Sequence, residues 1–135
     1  MKQTRWGLAL FLALAAAACT GGDGGPTTTS PQPEPGVLTV NLTTPNPDDR
    51  ALVVEVTGPA ISGVTAANAA YVLHSRAGAS SVRVAVFGAL GSGALLRFQV
   101  PDVNKASAYS ATVVEVADAA NALRETAGYT AVVAR

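Results

Sequence analysis

The sequence predicts an all-β domain, a two-sheet antiparallel β-sandwich, on three observations. Apolar residues recur at every second position in a series of short runs, clusters of Gly, Pro, Asn and Asp separate those runs, and the stretch that holds them carries only five aromatic side chains. Alternation of this kind gives each strand one apolar face, which a second sheet must cover.

The first strand falls at Leu38, Val40 and Leu42, alternating with Thr39, Asn41 and Thr43. Pro45-Asn46-Pro47-Asp48-Asp49 ends it, and a second run follows at Leu52, Val54 and Val56. Beyond Gly58-Pro59, Tyr71 to His74 reads as a strand. So do Val82, Val84 and Val86 around Arg83 and Ala85, and Leu96, Phe98 and Val100 around Arg97 and Gln99. Ser110 to Val116 and Tyr129 to Ala134 bring the count to about seven. Gly78 and Pro101-Asp102 are further breakers, and Gly88 to Gly93 reads as a hairpin connection, lacking the lysine and following helix of a phosphate loop. Thr65 to Ala70 and Ala117 to Arg124 are alanine-rich and admit a short helical turn. Parity places Phe98 in the core with Leu96 and Val100. It puts Glu55 and Glu115 on an outer face, opposite Val54, Val56, Val114 and Val116. Phe87 is out of phase with Val82, Val84 and Val86, which suits a surface contact or a strand end tucked under a loop.

The domain occupies residues 37–135. Before it, Met1 to Arg5 carries Lys2 and Arg5, and Trp6 to Ala18 is uncharged and ends in small residues, a signal peptide pattern covering residues 1–18. Thirteen residues in a helix rise roughly 20 Å, short of the ~30 Å hydrocarbon core of a bilayer. Residues 19–36 hold Cys19 and then a Gly, Pro, Thr and Ser-rich tether without one large apolar side chain, so it cannot bury enough surface to offset its ordering entropy. Nine basic and nine acidic residues cancel over the whole chain; without residues 1–18 there are seven and nine, a formal charge of −2. That balance argues against a nucleic-acid partner, which would need clustered Lys and Arg.

Ala16-Ala17-Ala18-Cys19 resembles the lipobox of bacterial lipoproteins. The resemblance implies a diacylglycerol on the Cys19 sulfur, cleavage before Cys19, and, with Thr20 following it, placement at the outer membrane or cell surface. Ala16 and Ala18 also fit ordinary cleavage at an A-x-A site. The domain resembles the cohesin-like branch of β-sandwiches, or an immunoglobulin-like one. The residues concerned are Leu38 to Leu42, Leu52 to Val56, Gly93 to Val100, which reads G-x-L-x-x-F-x-V, and the closing Thr112 to Val116 and Gly128 to Val133. Cohesin-like and related carbohydrate-binding modules are non-catalytic, so this resemblance implies a protein or polysaccharide ligand held on a sheet face or on loops.

The residues themselves offer little catalytic chemistry. Cys19 is the sole cysteine and His74 the sole histidine, so neither a second thiolate nor a second imidazole is at hand for a nucleophile–base pair or a tetrahedral zinc set. Glu55 and Glu115 sit on an outer face, where a solvated charge keeps a sheet soluble. The domain is therefore read as non-enzymatic, serving protein or glycan recognition or an envelope structural role, with an accessory subunit or small enzyme of a polysaccharide-degrading assembly as the alternative. No cofactor is implied, although a structural calcium could use the turn oxygens of Asp48 and Asp49, of Asp102 and Asn104, or of Asp118 and Asn121. The same residues form ordinary turns. Binding candidates are Phe87, Arg83, Arg97, Asp102 and Asn104. Arg76, Arg83 and Arg97 would line one acidic-partner face if their strands are neighbours, and are otherwise isolated surface arginines. The tether puts one end of the sandwich toward the membrane and leaves the opposite loops or a sheet face for contact. Metabolic labelling with a palmitate analogue is expected to mark the chain, and Cys19→Ala to abolish both the label and membrane fractionation; an unlabelled chain removes the anchor.

Overall fold

The computed structural model describes residues 29–135. The leader, Cys19 and the first part of the tether lie outside the described residues. Nine strands and one short 3₁₀ segment form two antiparallel sheets packed face to face. The strands are β1 (Gly36–Thr43), β2 (Asp49–Thr57), β3 (Ser62–Ala66), β4 (Val72–Ala77), β5 (Ser81–Phe87), β6 (Gly93–Val100), β7 (Ser110–Asp118), β8 (Leu123–Arg124) and β9 (Thr130–Ala134), with the 3₁₀ segment at Val103–Ala108. One sheet runs β3-β6-β1-β9 and the other β4-β5-β2-β7-β8. The sandwich expected from the period-two runs is therefore the fold of the described chain.

The inward sets are those the alternation names. Leu38, Val40 and Leu42 face Leu52, Val54 and Val56 across the interior, joined by Val82, Val84 and Val86 and by Leu96, Phe98 and Val100. Full burial of each such side chain contributes roughly 1.5–3 kcal/mol. Two bulges alter the simple parity. At β1–β6 the register passes from Val40↔Leu96 to Asn41↔Ala94, so Leu95 and Leu96 are both buried. At β2–β7 it passes from Val53↔Glu115 to Val54↔Val113. Val113 is thereby buried, and Val114, expected inward, is only half-buried. An extra residue in one strand reverses the facing of everything beyond it.

Several connections differ from expectation. Residues 88–92 do not close a hairpin; they carry the chain from β5 in one sheet to β6 in the other. Neither alanine-rich stretch is helical: the first ends β3 and turns, and the second ends β7, turns and forms β8. The strand expected at Tyr71 to His74 runs Val72–Ala77 instead. The turn between β2 and β3 needs Gly58, because a Cβ there would overlap the Tyr109 ring. That ring's hydroxyl donates to the Ala60 carbonyl at 3.1 Å.

Phe98 is fully buried and Phe87 is 43% exposed. Phe98→Ala is expected to lose about 3–5 kcal/mol of stability, and Phe87→Ala less than about 1 kcal/mol. Urea unfolding followed by circular dichroism measures both, and equal losses would overturn the assignment of core and face.

Candidate binding face

Pairing register across the five-stranded sheet assembles a surface that no single strand displays. Val72 lies opposite Phe87, Phe87 opposite Ala51, Ala51 opposite Ala117, and Ala117 opposite Leu123. These five residues form one apolar row across every strand of the sheet. Val72 is 57% exposed and Leu123 76%, so with Phe87 the row holds three of the five large apolar side chains most open to solvent among the described residues. His74, Ala85, Val53 and Glu115 form the next row, and the His74 and Phe87 rings meet edge to face with centroids 6.1 Å apart. A third row is charged: Arg76 opposite Arg83, Arg83 opposite Glu55, Glu55 opposite Thr112.

Two guanidiniums directly opposite each other on neighbouring strands repel. Glu55 offsets one of them: its Oε1 lies 3.5 Å from Arg83 Nε and accepts from Ser81 Oγ at 3.2 Å. Arg76 has no ion-pair partner among the described residues. Glu55, Arg76, Ala77, Gly78, Ser81 and Arg83 line a shallow depression of about 270 Å³. An apolar row beside a cationic hollow suits a ligand carrying both an apolar side chain and an anionic group.

The structure brings Phe87, Arg83 and Arg76 together and separates the other candidates from them. Arg97 lies on β6, between Thr39 and Thr65 in the four-stranded sheet, so the three arginines do not share a face. Asp102 and Asn104 sit at the sandwich end where the chain comes in. Asp102 Oδ1 accepts the Glu34 N–H at 3.2 Å and the Asn104 N–H at 3.1 Å, and Lys105 Nζ approaches Oδ2 at 3.9 Å. Arg135 then bridges Asn104 Oδ1 and Glu34 Oε2 at 3.2 and 2.8 Å. This set latches the start of β1 to the 3₁₀ segment.

The other calcium candidates converge on a cation supplied by the chain itself. Asp48, Asp49 and Asp118 surround Arg124, at 2.7, 3.2 and 3.5 Å. Asp49 is fully buried and also accepts from Thr44 Oγ1 and, at 3.0 Å, from the Tyr129 hydroxyl. That hydroxyl in turn accepts from Asn46 Nδ2 at 2.7 Å. Asp118 Oδ1 receives the Ala120 and Ala122 N–H groups at 2.8 and 3.0 Å, shaping a turn in which Asn121 takes φ +62°. Among the described residues, no group of three or more His, Cys, Asp and Glu is arranged to hold a metal ion. By seating Arg124, the cluster fixes β8 and so holds Leu123 at the end of the apolar row.

No protein-family model, curated protein or solved structure matches this chain.

The electrostatics of the two polar clusters are expected to make the fold acid-sensitive. Bonds from the Ala122 and Ala120 N–H groups, with Arg124, hold the Asp118 carboxyl below its ordinary value of 3.8. The Glu34 and Asn104 N–H groups, with Lys105, do the same for Asp102. Its hydrogen bond to Asp48, above all, raises Arg124, which stays cationic throughout. Both carboxylates are depressed in the folded chain, so their stabilisation is complete above the unfolded value. It is lost as pH falls through the lowered folded values, below about pH 4. Melting temperatures taken from pH 7 to pH 2 are expected to drop over that window, and Asp118→Asn to lessen the drop; a flat profile would show the clusters to be without consequence.

Proposed function

We propose that this chain is a non-catalytic, lipid-anchored envelope protein whose sandwich recognises a protein partner on the outer face of the β4-β5-β2-β7-β8 sheet. The observation that carries the reading is the five-residue apolar row lying beside the Arg76–Arg83 pair. Exposed apolar side chains gathered in one patch mark contact surfaces, whereas scattered ones do not. The partner's matching surface presents apolar side chains to Val72, Phe87 and Leu123 and a carboxylate to Arg76 and Arg83. Phe87 is the anchor, since an aromatic ring contributes a large contact area at small entropic cost.

The lipobox-like Ala16 to Cys19 supports an anchor through Cys19, and Thr20 supports the outer membrane or cell surface. The cohesin-like resemblance is in keeping with non-catalytic protein recognition. A protein is favoured over a polysaccharide because the face carries one aromatic residue with a histidine beside it, rather than a flat series of aromatic rings for sugar stacking.

Capture from envelope extracts on the immobilised full chain tests this, with glycan arrays run in parallel. The expected result is a protein whose capture weakens about tenfold or more with Phe87→Ala and with Arg83→Glu, falls with added salt, and is unchanged by Arg97→Ala on the other sheet. Capture indifferent to the Phe87 and Arg83 variants, or binding to glycans and to no protein, would overturn the reading.

A further inference from the structure

The outer face of the five-stranded sheet passes from apolar to cationic across a single row, and His74, the chain's sole histidine, stands in that row. On β4 it shares its side of the strand with Val72 and Arg76, two residues to either side. Two residues of a strand span about 6.7 Å, so His74 lies midway between the apolar row and the arginine pair. Its side chain is exposed, and its ring meets the Phe87 ring edge to face with centroids 6.1 Å apart. The residue borders the aromatic anchor on one side and the guanidiniums on the other.

The charges around it are mostly of one sign. Arg76 is its charged neighbour on β4, and β5 sets Ala85 opposite it, with Arg83 and Phe87 two residues to either side of Ala85. Strand β2 adds Val53 to its row and Glu55 one row along, where Arg83 Nε already lies 3.5 Å from the carboxylate. Strand β7 adds Glu115, three strands away. That is about 14 Å, beyond the ~8 Å screening length at physiological salt. Strand β3, which passes beside β4 from the other sheet, carries no charge. Among the described residues, no carboxylate lies within ion-pair reach of His74.

We propose that His74 is the third anion contact of this face: protonated, it joins Arg76 and Arg83 in holding the anionic group of a ligand whose apolar group rests on Phe87. The inference rests on the recognition reading above and names the condition that favours it. Histidine side chains ordinarily change charge between about pH 5 and 8, a window in which Asp and Glu of a partner stay ionised. The chain's own carboxylates leave the imidazolium unneutralised, so the first carboxylate to pair with it is the partner's. Binding of an acidic partner therefore strengthens as pH falls through that window. With the ring neutral, the two arginines hold the anion alone.

Phenylpropanesulfonate tests this, because it joins an aromatic ring by a short chain to an anion that stays charged throughout. Added to the full chain carrying Cys19→Ser, it is expected to shift the amide resonances of Phe87 and Ala85. The affinity read from those shifts is expected to be about two- to fivefold higher at about pH 5.5 than at about pH 7.5, the scale of one exposed ion pair. His74→Gln is expected to bind equally at the two pH values, and His74→Lys to keep the tighter binding at both. A wild-type affinity that does not change with pH, or a gain that survives His74→Gln, would overturn the role of His74 while the face itself stands, provided Phe87→Ala and Arg83→Glu still weaken binding. A probe that shifts no residue of the face at either pH overturns both.

Discussion

The carboxylate of Asp49 is the constraint on which one whole end of this sandwich depends. It is fully buried, and a buried charge is tolerable only when paired and hydrogen-bonded. Its partners come from three separate parts of the chain: Thr44 from the β1–β2 connection, Arg124 from β8, and Tyr129 from the approach to β9. Its backbone carbonyl also accepts from Leu90, in the crossover between the sheets, at 3.1 Å. A single carboxylate thus gathers the segments that would otherwise be independent loops. Arg124 serves as an internal counter-ion, in the place a bound cation would take, and it fixes the hairpin that ends the five-stranded sheet.

The core and the outer face of the five-stranded sheet are consequences of the same alternation read on its two sides. Val82, Val84 and Val86 are buried because they face the opposite sheet, which leaves Arg83, Ala85 and Phe87 directed outward. The face is apolar toward the Asp49 end and charged toward the other. This polarity suits a ligand that must lie in one orientation, since reversing it would set apolar groups against guanidiniums.

How much of this was legible in the sequence follows from what each signal encodes. Strands β1, β2 and β5 could be read from single runs because their buried apolar residues alternate without interruption, and β6 because they do so from Leu96 onward. Strand β3 could not, since Ser62-Gly63-Val64-Thr65-Ala66 has one large apolar residue and a left-handed glycine. The inward facing of Val113 rather than Val114 was hidden because a bulge leaves the residue types unchanged. Phe87 and Arg83 were identified as binding candidates, whereas their neighbours Val72, Ala51, Ala117 and Leu123 were not. A row across strands depends on register between segments up to 66 residues apart, as Ala51 and Ala117 are, and no local period carries that information. The same distance concealed the ion pair of Asp49 with Arg124, 75 residues away.

Among the described residues, only β4–β5 and β7–β8 are hairpins; the other connections pass from one sheet to the other. Such a topology has high contact order, and folding of this kind takes on the order of milliseconds to seconds. Strand β1, the first to leave the ribosome, has neighbours that emerge much later, β6 at Gly93–Val100 and β9 at Thr130–Ala134. Until both have been synthesised, at least one edge of β1 has no hydrogen-bonded neighbour. The chain therefore commits to its native state late, and a truncation that removes the last few residues leaves β1 with a bare edge.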